Sequence, residues 1–291
     1  MENNRLSLAA AGVSRRGWLK KATAAGVSSF LIATPQQVRS VGAGKIKAGV
    51  VGFGGRGRQA VVDLLTGDPN AEIHYIGDLF EDKLEQHLAW LRDANRHPKI
   101  QGQIKVQPDT RFTGFDAYKK VMASDCDVVI LATPPGYRPE HFEAAIKANK
   151  HVFCEKPFGT DPVGVRRFMA AAKESEATVV SGAQRRFQQE YMETVDKIQQ
   201  GAIGDVRALY AYWVGTPVIQ NPNGRDPKYK GDMTWQHRNW YSYVWICGDQ
   251  IVEQHLHNID VCNWVMNGHP VKVHASGGRS WRPSAEMYRN I

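Results

Sequence analysis

Cysteine is scarce in this chain. The four present, Cys126, Cys154, Cys247 and Cys262, form no C-x-x-C spacing, so the signature of a thiolate metal centre is missing and no metal is expected. An oxidising compartment would permit disulfides, but all four lie in or beside apolar stretches, and buried free thiols are the expectation. No apolar run reaches the roughly 20 residues of a bilayer-spanning helix. The mildly apolar run Ala22 to Thr34 ends at Pro35, which argues against a stable membrane anchor. Charge of one sign is lacking too once the N-terminus is set apart. Residues 1–43 carry six Lys/Arg and one acidic residue, leaving only +3 of the formal +8 to the rest. That remainder has no basic run and no RNA-binding aromatic motif, so nucleic acid is not an expected partner. Internal repeats and low-complexity tracts are absent as well, which removes solenoid architectures.

What is there is the composition of a soluble globular protein, 42% hydrophobic and 23% charged over 291 residues, with chain enough for two domains. Residues 1–43 read as a segment outside the fold. Ser14-Arg15-Arg16-Gly17-Trp18-Leu19-Lys20 resembles a twin-arginine export signal, and Val41-Gly42-Ala43 offers small residues for cleavage. The competing reading is an amphipathic helix with a chance Arg-Arg pair. Export by this route predicts a periplasmic protein that folds around its cofactor before it leaves the cytoplasm.

From Lys45 onward, short apolar strands alternate with helical segments as far as Gly182. The spacing predicts strands at Lys45–Val51, Glu72–Gly77, Asp127–Thr133, His151–Cys154 and Ala177–Gly182, with helices between them. Alternation of this kind means an α/β fold with a parallel sheet covered on both faces. Residues 44–184 are therefore expected to form a Rossmann dinucleotide-binding domain. After about Gln184 the texture changes to a long strand at Asp205–Val214, a loop over 215–240 and a strand at Val271–Ser276. Residues 185–291 are expected to form a second domain of the α+β type. Two recognisable strands make an incomplete sheet, so a further C-terminal part is expected.

Gly52-Phe53-Gly54-Gly55-Arg56-Gly57 fits G-x-G-x-x-G directly after a strand and at the start of a helix, the context that gives the motif meaning. Gly52 permits the tight turn, Gly54 lets backbone approach a pyrophosphate, and Gly57 allows close helix–strand packing at a helix N-terminus that faces the anion. Asp78 follows Gly57 by 21 residues, close to the ~20 expected of an acid that binds the adenosine ribose. A carboxylate there repels a 2′-phosphate, and Leu79 supplies no compensating charge, which favours NAD over NADP. His151-Val152-Phe153-Cys154-Glu155-Lys156-Pro157 then ends a strand with a lysine placed for the reactive end of a nicotinamide.

Glu253, His257 and Asp260 fall within about 60° of one another on an α-helix at ~100° per residue. That face offers an imidazole for proton exchange near neutral pH and two carboxylates to orient it. His255 points the other way, so a His-x-His metal pair is not expected. Trp235, Trp240, Tyr241, Tyr243 and Trp245 crowd the approach; such rings suit sugar faces or plain core, and Arg238 or Asn239 could bond hydroxyls.

Together these residues resemble the Gfo/Idh/MocA oxidoreductases. The resemblance rests on Gly52, Gly54, Gly57, Asp78, Ala132-Thr133-Pro134-Pro135 with His141, Glu155-Lys156-Pro157, Gln184-Arg185-Arg186-Phe187 and His257-x-x-Asp260. It implies a Rossmann domain followed by an open-faced sheet domain for substrate and oligomerisation, with NAD held by the glycine turn (Phe53, Gly55 and Arg56 included), Asp78, Thr133, Pro134, His141, Glu155 and Lys156. It also implies a cis Lys156–Pro157 bond, catalysis by Lys156 and His257, and a homo-oligomer in the complete protein. Two departures stand out. The usual Asp-x-Gly-x-His segment is here Glu253-Gln254-His255-Leu256-His257, and the family continues beyond position 291. The activity expected is NAD-dependent oxidation of a secondary alcohol on a sugar, polyol or glycoside. A redox-neutral glycosidase, lyase or epimerase and a non-catalytic NAD- or sugar-binding protein are the alternatives.

Overall fold

Strand β1 (Ile46–Val51) sits at the centre of the architecture because both its faces are apolar. The computed structural model describes residues 44–215 and 232–277. Six strands form one sheet in the order β3-β2-β1-β4-β5-β6, with β2 at Ala71–Asp78, β3 at Arg111–Thr113, β4 at Val128–Leu131, β5 at His151–Cys154 and β6 at Val179–Ser181. Every adjacent pair is parallel. The connections are helices: α1 (Gly55–Gly67), α2 (Glu81–Leu91), α3 (Ala117–Met122), α4 (Arg138–Lys147) and α5 (Pro162–Lys173). This is the doubly wound arrangement expected from the sequence. It opens a crevice where β1 is flanked by β2 on one side and β4 on the other, because the chain leaves these strands in opposite directions.

The period-2 alternation of strands sorts the core into two layers. Ala48, Val50 and Ile130 pack with Val61, Leu65, Leu84 and Leu88 of α1 and α2. Val51, Val129 and Leu131 pack on the other face with Val121, Phe142 and Phe168 of α3, α4 and α5. Each such side chain, fully buried, contributes about 1.5–3 kcal/mol. Asp161 starts α5 by accepting hydrogen bonds from the Val163 and Gly164 amides at 2.8 and 2.9 Å, with Pro162 at the first helical position.

Beyond β6 the chain is helical: α6 (Gln189–Gln199), α7 (Asp232–Arg238), α8 (Val244–Cys247), a π-helical turn at Ile251–His255 and α9 (Leu256–Val265). Three expectations change here. Asp205–Val214 and Val271–Ser276 carry no strand, and among the described residues no sheet follows β6. Extended segments become strands only when their N–H and C=O groups find partners, and these lie open, with Tyr210 81% and Val214 94% exposed. Part of the loop read over 215–240 is instead helix α7. The π turn also interrupts the uninterrupted α-helix assumed for Glu253 to Asp260. The export segment of residues 1–43 lies outside the described residues. Among those described, no helix is long and apolar enough to cross a membrane. Cys126, Cys154 and Cys247 are buried free thiols and Cys262 is a half-buried one; burial pushes the Cys154 thiol up to about 12.

Candidate active site

The turn after β1 depends on two glycines, Gly52 and Gly57, that cannot be replaced without collision. Gly52 has φ +86°, and a Cβ there would lie 2.5 Å from the Thr133 amide nitrogen. A Cβ on Gly57 would lie 2.1 Å from the Gly52 carbonyl oxygen. Gly54 differs: nothing lies within 4 Å of its Cβ position. It is the N-cap of α1, whose first turn holds no acidic residue. Open space at the start of a carboxylate-free helix N-terminus fits a pyrophosphate. The cleft above this turn measures about 620 Å³ and is lined by Gly52, Gly54, Gly55, Asp78, Thr133, Pro134 and His141 among others. Phe53 is fully buried in the core, and its carbonyl accepts from His87 Nδ1 at 2.6 Å; it supports the turn from below.

Asp78 ends β2 and accepts from the Phe80 amide at 3.0 Å. Burial pushes its carboxyl up, while the backbone amides of Phe80, Leu79 and Phe53 and the positive Arg238 pull it down. The expected lack of positive charge beside Asp78 is corrected here. Arg238, on α7, lines the same cleft together with Lys83. Its guanidinium lies 3.9 Å over the Phe80 ring and bonds Asp82 at 2.8 and 2.5 Å. Only the fold brings it there.

Thr133 Oγ1 meets His141 Nδ1 at 3.1 Å. Burial pushes the His141 pKa down to about 4, so this imidazole is neutral at physiological pH and anchors Thr133 without charge. The wholly enclosed Arg138 was not foreseen. Its Nε donates to the Thr133 carbonyl at 2.7 Å and its Nη1 to the Pro157 carbonyl at 2.6 Å, which ties the Thr133-Pro134 turn to the loop that carries Lys156. Tyr137, in the same cleft, donates to His237 Nε2, whose other nitrogen donates to the Met233 carbonyl at 2.6 Å.

The Lys156–Pro157 bond is cis, as the resemblance implied. Lys156 Nζ donates to Glu253 twice, to the carbonyl at 2.7 Å and to Oε2 at 2.9 Å. Glu253 is buried, and its Oε1 has no hydrogen-bond partner among the described residues. Glu155 is buried beside Lys156 and accepts from Arg56 Nε at 2.6 Å, so Arg56 points at the tripeptide. Lys156, Glu155, Arg56 and His257 line a second cleft of about 750 Å³. His257 is buried; burial, Lys156 and Arg185 push its pKa down against the pull of Asp260 and Glu155.

The structure thus joins Lys156 to Glu253 and lines one cleft with Lys156 and His257, while Asp260 acts on His257 only through its charge. Asp260 accepts two hydrogen bonds from Arg186, at 2.9 and 2.7 Å. Among the described residues neither carboxylate hydrogen-bonds His257 as the sequence suggested; Glu253 Oε2 turns to Lys156 and Asp260 to Arg186. Of the aromatic group, Trp235 and Tyr243 are core residues packed with Ile246, and Trp240 borders the dinucleotide cleft. The ring that reaches His257 is Trp213, read from the sequence only as a strand residue. A chain position gives no signal for such a contact.

Comparison with known proteins matches this geometry. Residues 46–183 fit the model of the oxidoreductase family GFO_IDH_MocA, NAD-binding Rossmann fold. The myo-inositol 2-dehydrogenase of Thermotoga maritima is 22% identical over 232 residues, 80% of this chain and 58% of that protein. The aldose-aldose oxidoreductase of Caulobacter crescentus superimposes with a TM-score of 0.55 at 17% identity, over 77% of this chain and 58% of that one. A 3-ketoreductase from Actinomadura kijaniata, solved with NADP, gives 0.56 at 19% identity over 76% and 57%. The chain therefore spans a little over half the length of these proteins, and the two superpositions speak for the fold. Within residues 46–183, the stretch that fits the Gfo/Idh/MocA oxidoreductase model, the glycine turn, Asp78 and the Thr133 turn surround one crevice of an NAD-binding Rossmann fold.

Proposed function

We propose that the protein is an NAD-dependent oxidoreductase acting on a secondary alcohol of a sugar, polyol or glycoside. The observation that carries this reading is a cleft lined by both Lys156 and His257 and bordered by Arg56 of the glycine turn. NAD, held by the glycine turn and Asp78, supplies the hydride acceptor. His257, kept deprotonated near neutrality by burial beside two cations, takes the hydroxyl proton on a ring nitrogen. Lys156, fixed through Glu253, places positive charge where the alcohol oxygen becomes negative. The names of the relatives, an inositol dehydrogenase and an aldose oxidoreductase, support a polyhydroxylated substrate.

A redox-neutral reaction is the second reading, favoured by Ser14-Arg15-Arg16-Gly17-Trp18. An exported enzyme has no free NAD pool to draw on, so its cofactor would be regenerated within each cycle. Periplasmic location and a homo-oligomeric state belong to the same proposal; recovery from the periplasmic fraction and the sedimentation mass test them. A purely NAD- or sugar-binding role leaves Lys156 and His257 in one cleft without purpose.

The test is single-turnover reduction of bound NAD in the full-length protein, read by absorbance with myo-inositol and glucose as probes. Lys156→Ala and His257→Ala should each keep their NAD and lose roughly 10²–10⁴-fold in rate. Unchanged rates in both variants would overturn the mechanism.

A further inference from the structure

Trp213 stands out in the extended segment 205–215. Tyr212 is 78% exposed and Val214 94%, whereas Trp213 is less so at 40%. Its indole lies parallel to the His257 imidazole, with ring centroids 5.7 Å apart and planes 17° apart, an offset stack within the range of favourable aromatic pairs. The Arg185 guanidinium lies 5.7 Å from the same indole and 5.6 Å from the Tyr191 ring. Arg185 is held in turn by the neighbour of His257, through Nη1 to Asn258 Oδ1 at 2.6 Å. Two separate segments, 205–215 and Gln184–Phe187, thus converge on the imidazole that α9 carries.

We propose that Trp213 is a positioning residue for His257, fixing the plane of the imidazole and excluding water from one of its faces. This inference rests on His257 being the proton acceptor of the proposed reaction. Its physical basis is a contest of signs. The charged groups that act on His257 are Lys156 and Arg185, which disfavour its protonation, and Asp260 and Glu155, which favour it; burial is the largest influence and disfavours it. An indole face attracts a cation, so Trp213 could in principle favour the imidazolium. Acting as a shield, it does the reverse, because desolvation penalises the charged form. The direction in which the titration moves when the ring is removed tells the two apart.

The experiment is proton NMR of the full-length protein labelled in histidine, with the His257 signal assigned by its loss in His257→Gln. In the unaltered protein the His257 ring protons should be displaced upfield by the stacked indole. Trp213→Ala should abolish that displacement and raise the titration midpoint towards ~6.5. Trp213→Phe should retain both properties. Trp213→Leu keeps the apolar volume without the large ring current, so it should lose the displacement and keep most of the lowered midpoint; it also serves if the alanine variant folds poorly. An unmoved signal and midpoint in Trp213→Ala, or a midpoint that falls, overturns the proposal even when His257 proves essential. Unchanged hydride transfer in His257→Ala would instead remove the base assignment, and the role of Trp213 in the reaction with it.

Discussion

Replacing Arg138 with methionine would remove the guanidinium that joins two loops of the candidate site while keeping most of its volume. Arg138 is 5% exposed, and among the described residues no carboxylate pairs with it. Its stabilisation comes from two carbonyl acceptors, Thr133 O at 2.7 Å and Pro157 O at 2.6 Å. Hydrogen bonds from a charged donor contribute about 1.5–3 kcal/mol each, and a buried carbonyl left without a donor costs about 1–3 kcal/mol. Against this stands the release of a buried charge, whose desolvation is visible in a lowered Arg138 pKa. Two such bonds set an upper figure of about 3–6 kcal/mol, and release of the buried charge should bring the net loss to about 2–4 kcal/mol. Arg138→Lys can reach one carbonyl but not span both, so it should recover only part of the loss. The assay is urea unfolding of the full-length protein followed by tryptophan fluorescence. A loss below about 1 kcal/mol in the methionine variant, or a lysine variant as stable as the parent, would refute the bridging role.

Stability should also fall with acid. The His141 pKa is pushed down to about 4 by burial, below its ordinary value of about 6.5. Between these values the unfolded chain takes up a proton that the folded chain refuses, so the contribution is complete above about pH 6.5 and is lost towards pH 4, by roughly 3 kcal/mol. Urea midpoints at about pH 7.5 and about pH 4.5 should differ less in His141→Gln; an equal difference would remove His141 as the cause. Asp78→Ala should weaken NAD binding by about tenfold, ~1.4 kcal/mol, and strengthen NADP binding because Arg238 and Lys83 remain in the cleft. Calorimetric titration with both nucleotides checks it, and equal affinity for the two in the unaltered protein would dismiss Asp78 as the discriminator.

The sheet was legible wherever the information is local. Val128–Leu131 reads as a buried strand from four residues, and the glycine turn from six, because φ +86° at Gly52 and the crowding at Gly57 depend on nearby backbone. Lys156 was legible for the same reason, as the end of a strand. Its partner was not. Glu253 lies 97 residues away, and a helical wheel turned its carboxylate towards His257 because a wheel knows nothing of the lysine opposite or of the π turn. Arg238 reaches Asp82 across 156 residues, and nothing in the local sequence marks that meeting. Among the described residues no second sheet follows β6: β-branched and aromatic residues at 205–214 describe a surface fit for pairing, but a strand forms only beside a partner.

Glu155-Lys156-Pro157 is gripped at each residue from a different place: Arg56 holds the first, Glu253 the second and Arg138 the third. During synthesis two of these grips can close as soon as the six strands have emerged, whereas the one on the amine waits for Glu253. The glycine turn, Asp78 and the Thr133 turn are therefore in place while the nascent chain still lacks a fixed ammonium group. Loading can precede reactivity, and the order is written into the length of polypeptide that separates the lysine from its anchor.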